Sequence, residues 1–236
     1  MLNIVRSFIF NVIFFLTMFV FLFAGMFLLP FDSKYTFMFW YYLSTTLDFL
    51  TQKIMGITYE IENKYGKVNS PAIYAVRHES TWETLVFIRH FYQPIFILKK
   101  ELTRVPMFGS LSQKAGAIAV DRDNGARALM DAVKEVSAAI SAGHSVVMFP
   151  EGTRVTTGEH AEIKRGIALF YKRSNCPVIP VVHNSGRFWA RRGFVKYPGK
   201  ITVKFLEPIN PGLSQEEFIE KLNDAFYSGI EELNKQ

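Results

Sequence analysis

The sequence predicts an α/β protein: a mixed, largely buried β-sheet flanked by helices, preceded by an N-terminal hydrophobic helical membrane anchor. Three observations predict it. The chain begins with a long apolar run that carries no charge. From residue 57 onward, short apolar runs alternate with longer helical stretches, the pattern of a domain that wraps helices around a sheet. Several of the short runs end abruptly in charge, as buried strands do where they reach the surface.

Residues 7–29 form 23 consecutive positions without a charged side chain. As a helix they would reach about 34 Å, enough for a hydrocarbon core of about 30 Å. A secretory leader is the rival, but its apolar region is roughly 7–15 residues long, and no Ala-x-Ala cleavage site follows here. The run is expected to be a retained anchor. Pro30 and Asp32 break it. Residues 35–57 mix Phe37, Trp40, Tyr41, Leu47 and Phe49 with Asp48, Gln52 and Lys53, which suits an interfacial helix or the return arm of a helical hairpin. A helix packed on the globular body is the alternative.

Residues 57–62 alternate and predict a first strand, and 63–70 form a polar turn before the core. The chain therefore divides into anchoring helices over 1–56 and an α/β domain over 57–236. Further strands are expected at 72–76, 95–98, 117–120, 145–149, 178–182 and 201–205, with helices at 81–91, 124–142 and 164–173. Ser214-Gln215-Glu216-Glu217 is a capping box. Phe218, Leu222, Phe226, Ile230 and Leu233 follow it at helical spacing.

A net charge of +6 and a pI near 9.3 point to an anionic partner. With 23 Phe, 10 Tyr and 3 Trp and a positive mean hydropathy, that partner reads as lipid rather than nucleic acid. The single Cys176 excludes an internal disulfide and a cysteine-based zinc site, and reads as a small buried hydrophobe.

The chemistry gathers at Arg77-His78-Glu79-Ser80-Thr81-Trp82-Glu83-Thr84, directly after the apolar run 72–76. Five residues on a regular helix turn through about 500°, so His78 and Glu83 would point apart if both were helical. They meet only if His78 lies in the turn before a helix and Glu83 in its first turn. Two readings stand side by side. Ser80-x-x-Glu83 is a capping box, which would tie the carboxylate to the backbone. Alternatively, neutral His78 takes a proton from a hydroxyl while Glu83 fixes its tautomer. Two more polar stretches follow expected strands: Lys99 to Gly109, and Pro150-Glu151-Gly152-Thr153-Arg154. Catalytic groups of open α/β sheets lie beyond the carboxyl ends of strands. Arg154 can fork onto a phosphate and Gly152 allows close backbone approach. The plainer alternatives are an ion pair of Arg154 with Glu151 or Glu159, and a solvated turn at Lys99 and Lys100.

His78-x4-Glu83, Lys99-x-Glu101-Leu102-x3-Pro106-x2-Gly109, Phe149-Pro150-Glu151-Gly152-Thr153-Arg154 and Val178-Ile179-Pro180-Val181 resemble, in order, the four blocks of the glycerolipid acyltransferases. Within these they resemble the 1-acylglycerol-3-phosphate (lysophosphatidate) acyltransferases. The resemblance covers roughly residues 57–210, and a pair of N-terminal hydrophobic segments is usual in that family. One departure stands out: the family's acid is most often Asp, and Glu83 is one methylene longer. The resemblance implies that His78 is the general base on the free hydroxyl of a lysophospholipid, oriented by Glu83, with direct attack on an acyl thioester. It implies that Arg154, with Glu151, Gly152 and Thr153, belongs to the block that binds the acceptor's phosphate. Lys99 corresponds to a lysine near the phosphate or the developing oxyanion, and Pro180 belongs to a structural block. It implies no cofactor, with acyl-CoA or acyl-carrier protein as co-substrate, and a bilayer-bound enzyme whose site faces the cytosol.

Arg187, Arg191, Arg192, Lys196, Lys200 and Lys204 lie among Phe188, Trp189, Phe194 and Tyr197 with no acid between Asn184 and Lys204. Beside a membrane anchor this stretch reads as a contact for anionic headgroups or the phosphates of coenzyme A, with an ordinary solvated basic face as the alternative. His90, His144, His160 and His183 show no metal-ligand spacing. Asp121-Arg122-Asp123 reads as a local ion pair. The rivals to lysophosphatidate acylation are acylation of glycerol-3-phosphate or another lysolipid, and a non-catalytic lipid- or acyl-carrier-binding module.

Overall fold

The computed structural model describes residues 1–65, 70–121 and 125–235. Parts of three sequence expectations lie outside these residues: 66–69 of the polar turn, Arg122 and Asp123 of the expected ion pair, and Asn124 at the start of the helix expected over 124–142.

Helix α1 (Leu2–Gly25) continues into a 3₁₀ turn over Met26–Leu28. Its buried positions, Ser7, Phe10, Phe14, Leu22 and Gly25, form one stripe from the second turn to the last, as a 3.6-residue period requires. Phe10 and Phe14 meet the Trp189 ring edge-on at 5.3 and 5.6 Å. Phe8, Phe15, Phe19, Phe23 and Phe27 face away from the body and are exposed. The helix thus lies along the protein over its whole length, apolar on both faces. Asp32 caps α2 (Ser33–Leu50) by accepting from the Lys34 N–H at 3.0 Å. This helix returns antiparallel and buries Phe39, Leu43, Leu47 and Asp48 while Met38, Tyr41, Tyr42 and Phe49 stay exposed. The alternative for 35–57, a helix packed on the globular body, is what forms, and its other face leaves apolar residues exposed. A π-turn over Thr51–Met55 leads into the sheet.

Seven strands form one sheet: β1 (Ile57–Asn63), β2 (Ile73–Val76), β3 (Pro94–Lys99), β4 (Ile118–Val120), β5 (Ser145–Met148), β6 (Val178–His183) and β7 (Gly199–Phe205). Their order is β1-β7-β6-β2-β5-β3-β4, and every neighbouring pair is parallel except antiparallel β6–β7. Alternate side chains feed two cores. Tyr74, Val76, Val147, Ile179 and Val181 pack with residues of α1, α2 and α3 (Trp82–Val86). Ile73, Ala75, Val146, Met148 and Val182 pack under α5 (Gly125–Ser141), α6 (Gly166–Ser174) and α7 (Gln215–Asn234). Cover on both faces is why these strands read as unbroken apolar runs. Because β2 to β6 run the same way, their carboxyl ends share one edge.

Two elements differ from the sequence reading. The helix expected over 81–91 stops at Val86, because Phe91 leaves it to stack on Tyr74 with ring centroids 4.0 Å apart. The polar stretch after β3 is not a plain loop: a 3₁₀ turn (Lys100–Arg104) precedes α4 (Phe108–Lys114). A Cβ added at Gly109 would fall 2.0 Å from the Thr103 carbonyl oxygen, so only glycine allows α4 to pack so closely on that turn. The capping box is formed at Ser214, with both reciprocal hydrogen bonds to Glu217.

Candidate active site

β2 ends at Val76, and the chain crosses the sheet edge through Arg77 and His78 into α3. The Val155 N–H donates to the His78 carbonyl at 2.7 Å, which ties this turn to the loop after the neighbouring strand β5. From that same loop the Phe149 ring stacks on the His78 imidazole, with centroids 4.0 Å apart and planes at 23°. Glu83 lies in the first turn of α3. His78 Nδ1 and Glu83 Oε1 are 2.8 Å apart. Glu83 Oε1 also accepts from the Glu79 and Ser80 N–H groups at 2.9 and 2.7 Å. The capping and dyad readings of the sequence are therefore one arrangement: the carboxylate that satisfies the backbone is the one that holds the histidine. The expected box is only half formed: Glu83 accepts from the Ser80 N–H, but the Ser80 hydroxyl accepts from the Trp82 N–H rather than from that of Glu83, and Thr81, not Ser80, is the N-cap of α3.

Glu83 is fully buried, and burial alone would push its carboxyl up. The hydrogen bond from His78, the nearby imidazoles of His183 and His78, and the Ser80 N–H hold it below the usual carboxylate value. An ionised Glu83 requires the proton on His78 Nδ1, so Nε2 carries the free lone pair. The imidazole is 15% exposed, and Nε2 has no hydrogen bond among the described residues. It is placed to accept a proton from something that enters the site.

A buried charge cluster beside the dyad was not legible as such in the sequence, where Arg77 and Glu79 showed only as charges flanking His78. Arg77 Nε donates to Glu79 Oε1 at 2.6 Å, and its Nη2 donates to the carbonyls of Thr156 and Glu159 at 3.0 and 2.6 Å. Glu79 Oε2 accepts from the Thr157 hydroxyl and the Gly186 N–H at 2.8 and 3.0 Å. Arg77 thus pins the loop that carries Glu151, Gly152, Thr153 and Arg154. Glu151 is buried behind that loop, 4.0 Å from Arg77 Nη1, and neither carboxyl oxygen completes a hydrogen bond among the described residues. Burial pushes its carboxyl up to about 8, against the pull of adjacent backbone N–H groups and Arg77; Glu79 adds to the rise.

Gly152 sits at φ +72°, the left-handed conformation that glycine adopts without a steric cost, and Thr153 is exposed. Arg154 is half-buried. Its carbonyl accepts from Arg191 Nη1 at 2.6 Å, and its own Nε is buried without a partner among the described residues. The surface ion pair that was the plainer reading of Arg154 is not formed, because Glu151 turns to Arg77. Lys99 is exposed at the end of β3 and pairs with Glu101 at 3.0 Å, and Lys100 pairs with Asp121 at 2.8 Å.

An apolar cavity of about 670 Å³ opens beside the dyad. Phe149, stacked on His78, lines it together with Phe37, Trp40, Leu85, Phe96 and Leu98. No single stretch of sequence signals it, since α2, α3, β3 and α4 each supply part of the wall.

The basic segment 184–204 proves to be largely engaged. Lys196 is buried between the Phe10 and Trp189 rings and donates to Asn11 Oδ1 at 2.8 Å. Lys200 pairs with Glu60, Lys204 with Glu62 and Glu232, and Arg187 caps α7 at the Leu233 carbonyl. Arg191, Arg192, Phe194 and Tyr197 remain exposed. Among the described residues no group of three or more His, Cys, Asp or Glu side chains is placed to hold a metal.

A family model described as acyltransferase matches residues 57–184. A 1-acyl-sn-glycerol-3-phosphate acyltransferase of Pseudomonas aeruginosa is 34% identical over 177 residues, which cover 75% of this chain and 68% of that protein. An enzyme of the same name from Cocos nucifera is 30% identical over 176 residues, 71% of this chain and 56% of that protein. The chain thus spans about two thirds of the bacterial relative and little more than half of the plant one. The crystal structure of the 1-acyl-sn-glycerophosphate acyltransferase PlsC from Thermotoga maritima superposes with a TM-score of 0.77 at 21% identity, covering 99% of this chain and 98% of that one. At that identity the likeness is one of fold.

Proposed function

The chain belongs to the acyltransferase family, among the 1-acylglycerol-3-phosphate acyltransferases, and on that premise we propose that it transfers an acyl group from a thioester to the free hydroxyl of lysophosphatidate, giving phosphatidate. The observation that carries this reading is the junction of dyad and cavity: an imidazole with a free Nε2, stacked on a residue that lines an apolar groove. A long acyl chain fills such a groove, and its carbonyl then emerges beside the base.

In the reaction so read, His78 Nε2 takes the hydroxyl proton as the oxygen attacks the thioester carbonyl. Glu83 stabilises the imidazolium that forms. The new C–O bond leaves a tetrahedral oxyanion, which collapses with cleavage of the C–S bond, and the thiolate leaves with the proton held by His78. Arg154, with Gly152 and Thr153, takes the acceptor's phosphate, and Lys99 supplies a second cation near the phosphate or the oxyanion. Glu151 acts through Arg77 rather than by touching the anion, since a buried carboxyl beside a phosphate would repel it once ionised. Acyl-CoA or acyl-carrier protein serves as co-substrate, and the chemistry needs no further cofactor.

Residues 1–56 are read as the anchoring unit and 57–236 as the acyltransferase domain. The exposed apolar face of α1, together with Phe194, Tyr197, Arg191 and Arg192, suits the interface of one leaflet better than a span, because the opposite face of α1 stays docked on the body. The active site then faces the cytosol, where acyl thioesters are made. Single cysteines placed at Asn3 and Lys100 should both react with an impermeant thiol reagent from the cytosolic side only. Labelling of the Asn3 cysteine from the outer side alone would sink this topology.

The reaction itself is tested by transfer from radiolabelled oleoyl-CoA to lysophosphatidate in detergent micelles. Phosphatidate is the expected product, with acetyl-CoA a poor donor because it leaves the groove empty. Arg154→Ala should raise KM for lysophosphatidate by about tenfold or more, the cost of one charge-assisted contact, and leave KM for monoacylglycerol unchanged. An equal effect on both acceptors would remove Arg154 from the phosphate site. Silence from acyl-CoA and acyl-carrier-protein donors alike would leave a lipid-binding module in its place.

A further inference from the structure

The acid of the dyad has two oxygens, and they are held unequally. Oε1 accepts three hydrogen bonds, from His78 Nδ1 and the N–H groups of Glu79 and Ser80. Oε2 accepts one among the described residues, from the Ser185 hydroxyl at 3.1 Å. Ser185 lies 102 positions away in the sequence, just beyond β6, and is fully buried. Its own placement is set by His183. The Arg77 carbonyl, 2.8 Å from His183 Nε2, can only accept, so that nitrogen carries the proton and Nδ1 accepts from the Ser185 N–H at 3.4 Å. Gly186, next in the chain, donates to Glu79. The β6 end is therefore a rigid frame aimed at the carboxylate from the side opposite His78.

We propose that Ser185 is a positioning residue of the dyad: its hydroxyl holds Oε2 of Glu83 and so fixes the plane of the carboxylate that presents Oε1 to His78. This rests on the acyl-transfer reading above and answers how the chain uses Glu where Asp is usual. The extra methylene lets the carboxylate reach from the first turn of α3 across to the end of β6 while still meeting His78. A buried carboxylate bound only through Oε1 could pivot about that atom, and the Nδ1–H bond would lose its alignment. The shorter Asp side chain cannot make both contacts from the same backbone.

The test is a double-mutant cycle with a spectroscopic readout. Ser185→Ala should lower kcat about tenfold or more, the worth of a hydrogen bond to a buried charge, with KM for both substrates within twofold. Ser185→Thr, which keeps the hydroxyl, should restore most of it. In a Glu83→Asp background Ser185→Ala should add less than twofold. In protein labelled with ¹⁵N-histidine, the low-field Nδ1 proton that disappears in His78→Ala should shift or broaden in Ser185→Ala and hold its place in Ser185→Thr. Wild-type kcat and an unmoved resonance in Ser185→Ala would overturn the proposal, as would an additive cycle. Absence of turnover in the wild-type protein would instead overturn the acyl-transfer reading, and the resonance alone would then decide the role of Ser185.

Discussion

Alanine at position 78 is expected to remove turnover and leave the fold standing. General-base catalysis contributes roughly 10²–10⁴ in rate, so kcat/KM of His78→Ala should fall by at least that range, toward the detection limit of the radiolabel assay. The fold survives because the side chain is not part of the deep core. Its loss frees one face of Phe149, while Glu83 Oε1 keeps the two backbone donors of Glu79 and Ser80. Circular dichroism and thermal melting close to wild type are expected alongside the lost activity. Glu83→Gln should retain the capping hydrogen bonds and lose most of the rate, because a neutral amide does not stabilise the imidazolium that forms as His78 takes the proton. A His78→Ala protein with wild-type activity would end the general-base assignment. A lipid-binding module would show the reverse pattern: stoichiometric binding, no turnover, and loss of stability rather than of rate when Glu83 is changed.

The second large effect is on stability, and its sign follows from Glu151. The folded carboxyl titrates near 8 and the ordinary one near 4.5. Between those values the folded state binds a proton that the unfolded chain has released. Stability therefore falls as pH rises through that window. The contribution is complete below about pH 4.5 and gone above about pH 8. Each unit is worth up to about 1.4 kcal/mol, so the whole window amounts to at most on the order of 5 kcal/mol for this group. Glu83 works in the opposite sense: its lowered carboxyl value adds stability that is present above the ordinary carboxylate range and is lost as pH falls through the folded one. The difference between wild type and Glu151→Gln isolates the first term, because glutamine keeps the shape and never ionises. Denaturant melts should show the two proteins equal near pH 4.5 and Glu151→Gln more stable by a few kcal/mol above pH 8. A difference that stays flat with pH would mean that Arg77 keeps Glu151 ionised.

Much of the architecture was legible because it is written in local pattern. An uncharged run long enough for the hydrocarbon core of a bilayer is visible in the letters alone, and α1 forms where that run lies. Strands covered on both faces must be apolar throughout, so β2, β5 and β6 appeared as short apolar runs, while the edge strand β1 appeared by its alternation; all seven lie within one or two residues of the expected ends. Ser214 and Glu217 announce the start of α7 because a capping box involves only four consecutive residues. His78 and Glu83 could be paired for the same reason: a strand end, a turn and one turn of helix leave a single geometry in which the two side chains meet. Thus the sequence by itself determined the fold class, the long apolar N-terminal helix, the carboxyl-edge placement of the polar blocks and the pairing of His78 with Glu83.

What it did not carry is which distant segment each surface meets. Periodicity tells which face of an element is buried and says nothing of its partner, so the strand order, the groove assembled from four elements and the Ser185–Glu83 bond appear only in three dimensions. Charge is ambiguous for the same reason. Arg77, Glu151 and Lys196 look like surface residues in a string of letters, yet each is buried, and each is tolerable there through contacts that folding creates: an ion pair and loop carbonyls for Arg77, a retained proton for Glu151, two aromatic faces and Asn11 for Lys196. The tertiary structure decided their roles because desolvation is a property of the packed site, and no residue type carries it in advance.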